Sequence, residues 1–454
     1  MHRTCLIVIA ALGAWSCNSD SPASESGDED STAGSAQHET GGSEDESAGP
    51  GGPTTTHPED VACVQMQGDG PCLVETLIDV PSLNLVFGDF DGDGFLDIAA
   101  ERPGADTSQA DDIQLLSGSA TGFAAPTTLS FDPTPQHDGS AVSLGLLRVR
   151  RVEGGADQIF AQGTYGSFGS IAIDNWWSDG ATMRRVFAPT SSPPAGPWFG
   201  DFDGNGTPEL VYASAGSSLD PLEAFECGAG SCSSLGTRSV TAAPPPPWTV
   251  LSGELTGDAR DDLVVVTRTN DAGTFQSQAW VLQSTGSAFS GAQPVALGSS
   301  LSAFAISLAD IDADGTLDLL VVADGGHATA DDDAAELHVF AGNGSGGFSL
   351  SQVVDVGGNI TAVAVSDFDG DGNPDLIVRR NDEAAIWVLL GGGPLGLESS
   401  LAYELGASST GLQGKTIPRW PTTVYDLDAD GRPEILTVVQ TASGYAVSVL
   451  RITE

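Results

Sequence analysis

The stretch Asp367-Phe-Asp-Gly-Asp-Gly-Asn-Pro-Asp375 places carboxylates at positions 1, 3, 5 and 9 of a nine-residue loop. Apolar runs flank it, Ile360-Thr-Ala-Val-Ala-Val-Ser366 before and Leu376-Ile-Val378 after, so it reads as strand, tight turn, strand. Carboxylates held this close repel one another unless a cation lies among them. Oxygen donors in this number suit Ca²⁺, which takes roughly 6–8 oxygens at about 2.3–2.6 Å. Position 6 is Gly372, where a sharp turn requires the left-handed backbone that glycine adopts freely. The carbonyl of position 7 would supply a further oxygen. The loop is not an EF-hand, because strands flank it and no glutamate stands at position 12.

The stretch returns in register. Asp89, Asp91, Asp93 and Asp97 form the same loop, as do Asp310, Asp312, Asp314 and Asp318. Asp426, Asp428, Asp430 and Glu434 form it with glutamate last, and Asp201, Asp203, Asn205 and Glu209 form it with asparagine at position 5. A weaker copy has Glu254, Thr256, Asp258 and Asp262, with Ala259 in place of the glycine. First positions at 89, 201, 254, 310, 367 and 426 are spaced by 112, 53, 56, 57 and 59 residues. The first spacing is twice the others, which predicts a further copy near residue 149. Gly155-Ala-Asp157-Gln-Ile-Phe-Ala161 supplies it, with Asp157 read as position 9 and Arg150 and Arg151 lying where the acidic loop begins, so this copy is expected to hold no metal. The sequence thus predicts seven repeats and about five to six structural Ca²⁺ sites.

From residue 61 onward the pattern is all-β. In the fifth copy, Phe304-Ala-Ile-Ser-Leu308, the loop, Leu319-Leu-Val-Val322, Glu336-Leu-His-Val-Phe340 and Gln352-Val-Val-Asp-Val356 follow one another with Gly-rich turns and no helical period. Four strands per repeat of this length is a propeller blade. The expected fold is a seven-bladed β-propeller over 61–454, with the acidic loops between the first two strands of most blades. The last repeat stops about 20 residues after Glu434 and lacks an outer strand. Leu73-Val-Glu-Thr-Leu-Ile-Asp-Val80 matches the outer strand before the sixth loop, so residues 73–80 are expected to complete the last blade and close the ring.

Val86-Phe-Gly-Asp-Phe-Asp-Gly-Asp-Gly94 and Trp198-Phe-Gly-Asp-Phe-Asp-Gly-Asn-Gly206 carry a family signature. On these stretches the chain resembles FG-GAP/VCBS-type repeat proteins, which include the propeller head of integrin α-subunits. The resemblance implies Ca²⁺ in the loops on one face and a partner at the opposite face or rim. The second repeat departs from the motif, and no integrin-like leg or membrane helix follows the propeller.

Residues 1–17 read as an export signal: Arg3, then the apolar run Leu6–Trp15, too short to span a bilayer. Ala14-Trp15-Ser16-Cys17 resembles a bacterial lipobox, which makes Cys17 the lipidation candidate. Residues 18–60 are a Ser/Gly-rich acidic linker with too little apolar surface to fold. These features predict a protein exported and lipid-anchored to the bacterial envelope, at the outer membrane or cell surface. Of the remaining cysteines, Cys63–Cys72 and Cys227–Cys232 are the simplest of three connectivities in an oxidising compartment.

A formal net charge of −46 excludes nucleic acid as a partner. His137, His327 and His338 belong to no metalloprotease motif, and no Gly-x-Ser-x-Gly elbow occurs, so a non-enzymatic role is expected. Trp198, Trp248 and Trp420 precede their loops, with Phe304 equivalent in the fifth repeat. They read either as an aromatic ligand site at the mouth facing away from the loops or as packing between blades; Trp176-Trp177 divides the same way. The reading is a monomeric, calcium-binding surface propeller that binds a protein or glycan. A carbohydrate-active enzyme and a purely structural envelope lipoprotein are the alternatives.

Overall fold

The computed structural model describes residues 72–453 except 105–110, 133–142, 151–154, 166–171, 179–181, 188–194, 214–218, 229–230, 245–247, 272–273, 299–301, 325–334, 357–359, 381–384, 393–396, 405–421, 428–431 and 443. The export signal, the linker, Cys17, Cys63, His137, His327 and Trp420 lie outside the described residues. Those that are described contain strands and no helix.

The first strand is β1 (Cys72–Val80). There follow β2 (Leu85–Gly88), β3 (Asp97–Arg102), β4 (Asp112–Leu116) and β5 (Thr127–Asp132), then β6 (Ser143–Arg150), β7 (Gln158–Tyr165), β8 (Ala172–Ser178) and β9 (Thr182–Phe187). Two further sets of four are β10 (Ala195–Gly200), β11 (Glu209–Ala213), β12 (Leu222–Gly228), β13 (Ser231–Arg238), and β14 (Trp248–Gly253), β15 (Asp262–Asp271), β16 (Thr274–Leu282), β17 (Gln293–Val295). Next come β18 (Ser302–Ala309), β19 (Asp318–Asp324), β20 (Ala335–Gly342), β21 (Phe348–Asp355), and β22 (Ile360–Ser366), β23 (Asp375–Arg380), β24 (Ala385–Gly391), β25 (Leu397–Glu404). The chain finishes on β26 (Thr422–Tyr425), β27 (Glu434–Thr441) and β28 (Gly444–Thr453).

These strands form a β-propeller arrangement of antiparallel meanders. Five sheets have four strands and one has eight. The larger sheet is two meanders, β2–β5 and β6–β9, joined where Ser130–Asp132 of β5 runs parallel to Thr182–Arg184 of β9. The last sheet has the order β1-β28-β27-β26. Its β1, from the start of the folded body, pairs along its whole length with β28, Cys72 opposite Thr453 through Val80 opposite Tyr445.

The sheets stack face to face, which explains the continuous apolar runs. The second strand of a meander is covered on both faces, so β23 and β11 are buried at every residue. An outer strand is covered on one side only, and β21 is exposed at five of eight positions. Apolar clusters fill the spaces between neighbours. Leu251, Val264 and Val281 meet Ile306, Leu319 and Phe340; Leu320 and Leu337 meet Val363 and Leu376. Ile377 and Val388 meet Val424, Ile435 and Leu73, and Leu427, Leu436 and Val447 meet Leu85, Phe87 and Ile98. The thinnest cluster, Phe160 with Phe199, Leu210, Tyr212 and Cys227, lies between the second and third meanders.

Leu73 is fully buried although it lies at the edge of its sheet. Leu73→Ala is expected to cost about 2–5 kcal/mol by cavity formation. Deleting 72–80 should cost more, because β28 then loses its outer neighbour. A truncated chain that melts at the full-length temperature would contradict this role for β1.

Candidate metal centres

Each acidic loop hangs between the first and second strands of its meander. The residue before position 1 pairs with position 9 in six meanders: Gly88 with Asp97, Gly200 with Glu209, Gly253 with Asp262, Ala309 with Asp318, Ser366 with Asp375 and Tyr425 with Glu434. In the second meander Arg150 pairs with Gln158. Position 9 is therefore Gln158, not Asp157, and this loop is one residue shorter; spacing alone could not detect a deletion inside a degenerate copy.

Backbone N–H groups turned inward shape the loops. In the first, Asp89 Oδ1 accepts from Gly92 and Asp93 and its Oδ2 from Gly94. Asp91 Oδ1 accepts from Asp93 N–H, and Asp93 Oδ1 from Phe95 N–H. Asp201, Asp203 and Asn205 repeat the pattern on Gly204, Asn205, Gly206 and Thr207. The chain passes through the left-handed region at positions 4 and 6. Glycine fills both in three of the five loops described throughout, while Ala313 (φ 57°) and Ala259 (φ 64°) bear the strain in the other two.

Position 9 is buried in all six loops: Asp97, Glu209, Asp262 and Asp375 at 0 % exposure, Asp318 at 1 % and Glu434 at 3 %. Its carboxylate accepts from the N–H of position 2, at 2.7 Å in Phe90, 3.0 Å in Ile311 and 2.6 Å in Phe368. The other oxygen accepts from an N–H after or at the end of the third strand: Gly118, Ser284, Gly342 and Gly391 for Asp97, Asp262, Asp318 and Asp375. At Gly118, Gly342 and Gly391 a Cβ would lie 2.1–2.3 Å from the carbonyl of position 8, so only glycine fits. Burial pushes Asp97 and Asp375 up to about 6, and Asp318, Asp262 and Glu209 up to about 7.

Three loops gather carboxylate oxygens within 4.8 Å of one another: Asp89, Asp91 and Asp97; Asp310, Asp312 and Asp318; Asp367, Asp369 and Asp371. Asp367 Oδ1 is buried with no hydrogen-bond partner. Asp91, Asp310 and Asp369 are raised from their ordinary value, by burial first and in part by neighbouring carboxylates. A hard divalent cation fits these donor sets, since it would satisfy the orphaned oxygen and the mutual repulsion together.

The remaining loops differ. Glu209 is paired with the buried guanidinium of Arg238. In the fourth loop Glu254 Oε1 accepts from Thr256, Gly257 and Asp258 N–H, and Thr256 Oγ1 donates to Asp262 at 3.2 Å. Asp258 there forms an ion pair with Arg260. In the last loop Glu434 lies 3.9 Å from Arg451, and Asp428 and Asp430 fall outside the described residues.

Trp198 does not line a mouth. It is 1 % exposed, inside the cluster of Phe202, Val211, Val250 and Phe289, because the sheet on the next meander covers it. Trp248 stands at the start of β14, and Phe304 sits at a break in the β18–β19 register, between Ala303 and Ala305. His338 is 9 % exposed, with its Nε2 3.0 Å from Glu336. Cys227 and Cys232 form a disulfide across the β12–β13 hairpin.

Sequence reading missed the reach of two aspartates. Asp157 and Asp261 each precede position 9 and reach the loop of the preceding meander. Their Oδ2 atoms accept from Asp89 and Asp201 N–H, at 3.0 and 2.8 Å, and their own N–H groups donate to the carbonyls of the same two residues. A Cβ at Gly88 or Gly200 would crowd these carboxylates, and a Gly in one repeat followed by Asp one repeat later was the available signal. Glu101 and Asp111 make a carboxyl pair away from the loops. Burial, opposed by Asn84 and reinforced by Asp111, holds Glu101 at about 7, while Asp111 accepts from Gly104 and Leu144 N–H and so ties the first two meanders together.

Asp318→Ala is expected to orphan the buried N–H groups of Ile311 and Gly342 and to cost roughly 2–5 kcal/mol, in calcium or in chelator. Denaturant melts measure it; an unchanged midpoint in chelator would show that the aspartate is not a staple.

Residues 254–321, 327–378 and 367–437 match the FG-GAP-like repeat family. No curated protein matches the chain. Among solved structures it is similar to a Bombyx mori beta-fructofuranosidase in complex with sucrose (10 % identity, 82 % of this chain and 90 % of that one, TM-score 0.30). It is also similar to an exo-beta-1,3-galactanase from Phanerochaete chrysosporium (8 %, 81 % and 96 %, TM-score 0.29) and the NanB sialidase of Streptococcus pneumoniae (9 %, 83 % and 67 %, TM-score 0.32). Likeness at these scores carries no argument about activity. The chain thus carries FG-GAP-like repeats between residues 254 and 437, set in an all-β, propeller-like arrangement of sheets.

Proposed function

We propose that this protein is a calcium-stabilised, seven-bladed propeller displayed on the cell envelope, where it binds a protein or glycan. The observation that carries the calcium reading is the convergence of carboxylate oxygens in the first, fifth and sixth loops, with the orphaned Oδ1 of Asp367 among them. Asp89, Asp91, Asp93 and Asp97, Asp310, Asp312, Asp314 and Asp318, and Asp367, Asp369, Asp371 and Asp375 would hold the ions. Bound calcium supplies positive charge that locks each loop; the chain's own N–H groups set the loop's shape beforehand.

Support for seven blades comes from treating the eight-stranded sheet as two, since the only strand pairing that joins its halves is the short parallel β5–β9 ladder. Closure by β1 is supported by its full pairing with β28, by the cluster joining Leu427 and Leu436 to Leu85 and Phe87, and by Tyr425 Oη donating to Gly94 O at 3.3 Å. Display on the envelope rests on the lipobox-like Cys17 and the acidic linker. The binding role rests on the family resemblance. It is tested by a glycan array and a surface-protein pull-down with the full mature chain in millimolar calcium. Binding lost in Trp248→Ala would place the ligand at the axial mouth; no ligand in either screen, from folded protein, would leave a structural role.

Chelation is expected to lower Tm by about 10 °C, as three sites at about 100 times Kd contribute roughly 3 kcal/mol each. An unchanged melt would sink the calcium reading. The pH dependence has a definite sign. In ion-free protein the position-9 aspartates titrate at about 6 to 7 rather than 3.8, so the native state binds more protons than the unfolded one. The stability these aspartates contribute without calcium is fully present below about pH 4 and is lost as pH rises through 6 to 7. The gain in Tm on adding calcium should accordingly be larger at pH 8 than at pH 5; a gain independent of pH would contradict the coupling.

A further inference from the structure

The fourth loop keeps the acidic spacing but spends its donors internally. Glu254 Oε1 accepts from three loop N–H groups, and Thr256 and Asp262, at the two ligand positions 3 and 9, are hydrogen-bonded to each other. Asp258, at position 5, is ion-paired to Arg260, whose Nε also donates to Ser284 O at 3.3 Å. Ser284 N–H donates in turn to Asp262. The guanidinium thus connects position 5 to the turn that staples position 9, a connection between carboxylates that a cation makes elsewhere. Arginine is suited to this because it stays charged and offers several donors in one plane.

The same arginine faces the preceding meander. Its Cγ would lie 3.0 Å from a Cβ at Gly204, in the third loop. Around it the third and fourth meanders are joined by direct hydrogen bonds: Asp201 with Asp261 in both directions, Ser284 Oγ to Phe202 O, Ser252 Oγ to Phe199 O, and Arg238 to both Glu209 and Gly286 O. Positive charge from Arg238 and Arg260 is present here without any ion.

We propose that the fourth loop is an ion-independent version of the motif, in which Arg260 takes the part of the cation, so that the third and fourth meanders form a clasp that persists when calcium is removed. Calcium then governs only part of the propeller. Its loss loosens the arc carrying the 310–318, 367–375 and 89–97 loops, which includes the neighbours of the β1–β28 pair. This rests on the calcium reading of those three loops.

Hydrogen exchange of the full mature chain, in millimolar calcium and in chelator, tests it. Chelation is expected to speed exchange in 89–97, 310–318 and 367–375 and to leave 254–262 unchanged. Arg260→Gln should speed exchange in 254–262 about fivefold in chelator, as expected for a half-exposed ion pair worth about 1 kcal/mol, and calcium should restore its protection. Wild-type 254–262 responding to chelation like 310–318 would overturn the proposal. So would Arg260→Gln leaving 254–262 unchanged in chelator. If 89–97, 310–318 and 367–375 ignore chelation, the calcium reading fails, while the Arg260→Gln comparison in chelator still decides whether the arginine holds its loop.

Discussion

A buried carboxylate at the start of the second strand organises each meander that carries an acidic loop. Asp97, Asp318 and Asp375 accept one N–H from the loop's second residue and one from the far end of the third strand, so a single side chain joins three segments of its blade. Burying such a group is costly, and its raised pKa records that cost. The cost is tolerable because both oxygens are hydrogen-bonded and because the site lies beneath a loop built to receive positive charge.

That arrangement explains why the motif is longer than a list of metal ligands. In the first and third meanders the glycine before position 1 leaves room for an aspartate of the next meander. The apolar residue at position 2, such as Phe90, Phe202 or Phe368, turns its side chain into an interblade cluster while its N–H caps the buried carboxylate. One short stretch therefore sets the strand register, anchors the interface and shapes the ion site. Changes at position 9 alter more than metal affinity for the same reason.

Variation among the copies follows from charge. Where position 9 is aspartate and positions 1, 3 and 5 are all aspartate, the oxygens converge and an ion suits them. Where position 9 is glutamate, its longer side chain meets an arginine, Arg238 or Arg451. Arginine also enters the core between the sixth meander and the last: Arg379, 1 % exposed, donates to Thr437 Oγ1 and Val438 O, and burial lowers it to about 9. Arg238 and Arg379 thus both sit at joints between blades.

The all-β class, the repeat, the six acidic loops in register and the strand that completes the last sheet were legible in the sequence. Each depends on local periodicity and turn chemistry, which neighbouring residues carry by themselves. The Cys227–Cys232 bridge was legible for the same reason, since a hairpin brings five-apart cysteines together. What packs between sheets was decided only by the tertiary structure. Trp198 read in sequence either as a ligand site or as packing between blades and is core, because burial depends on the neighbouring sheet rather than on the strand that bears it. The shortened second loop, the glycines that receive the third strand's end, the reach of Asp157 and Asp261 and the pairing of Arg260 with Asp258 also emerged only in three dimensions. Each is a relation between loops and strands that linear spacing does not encode.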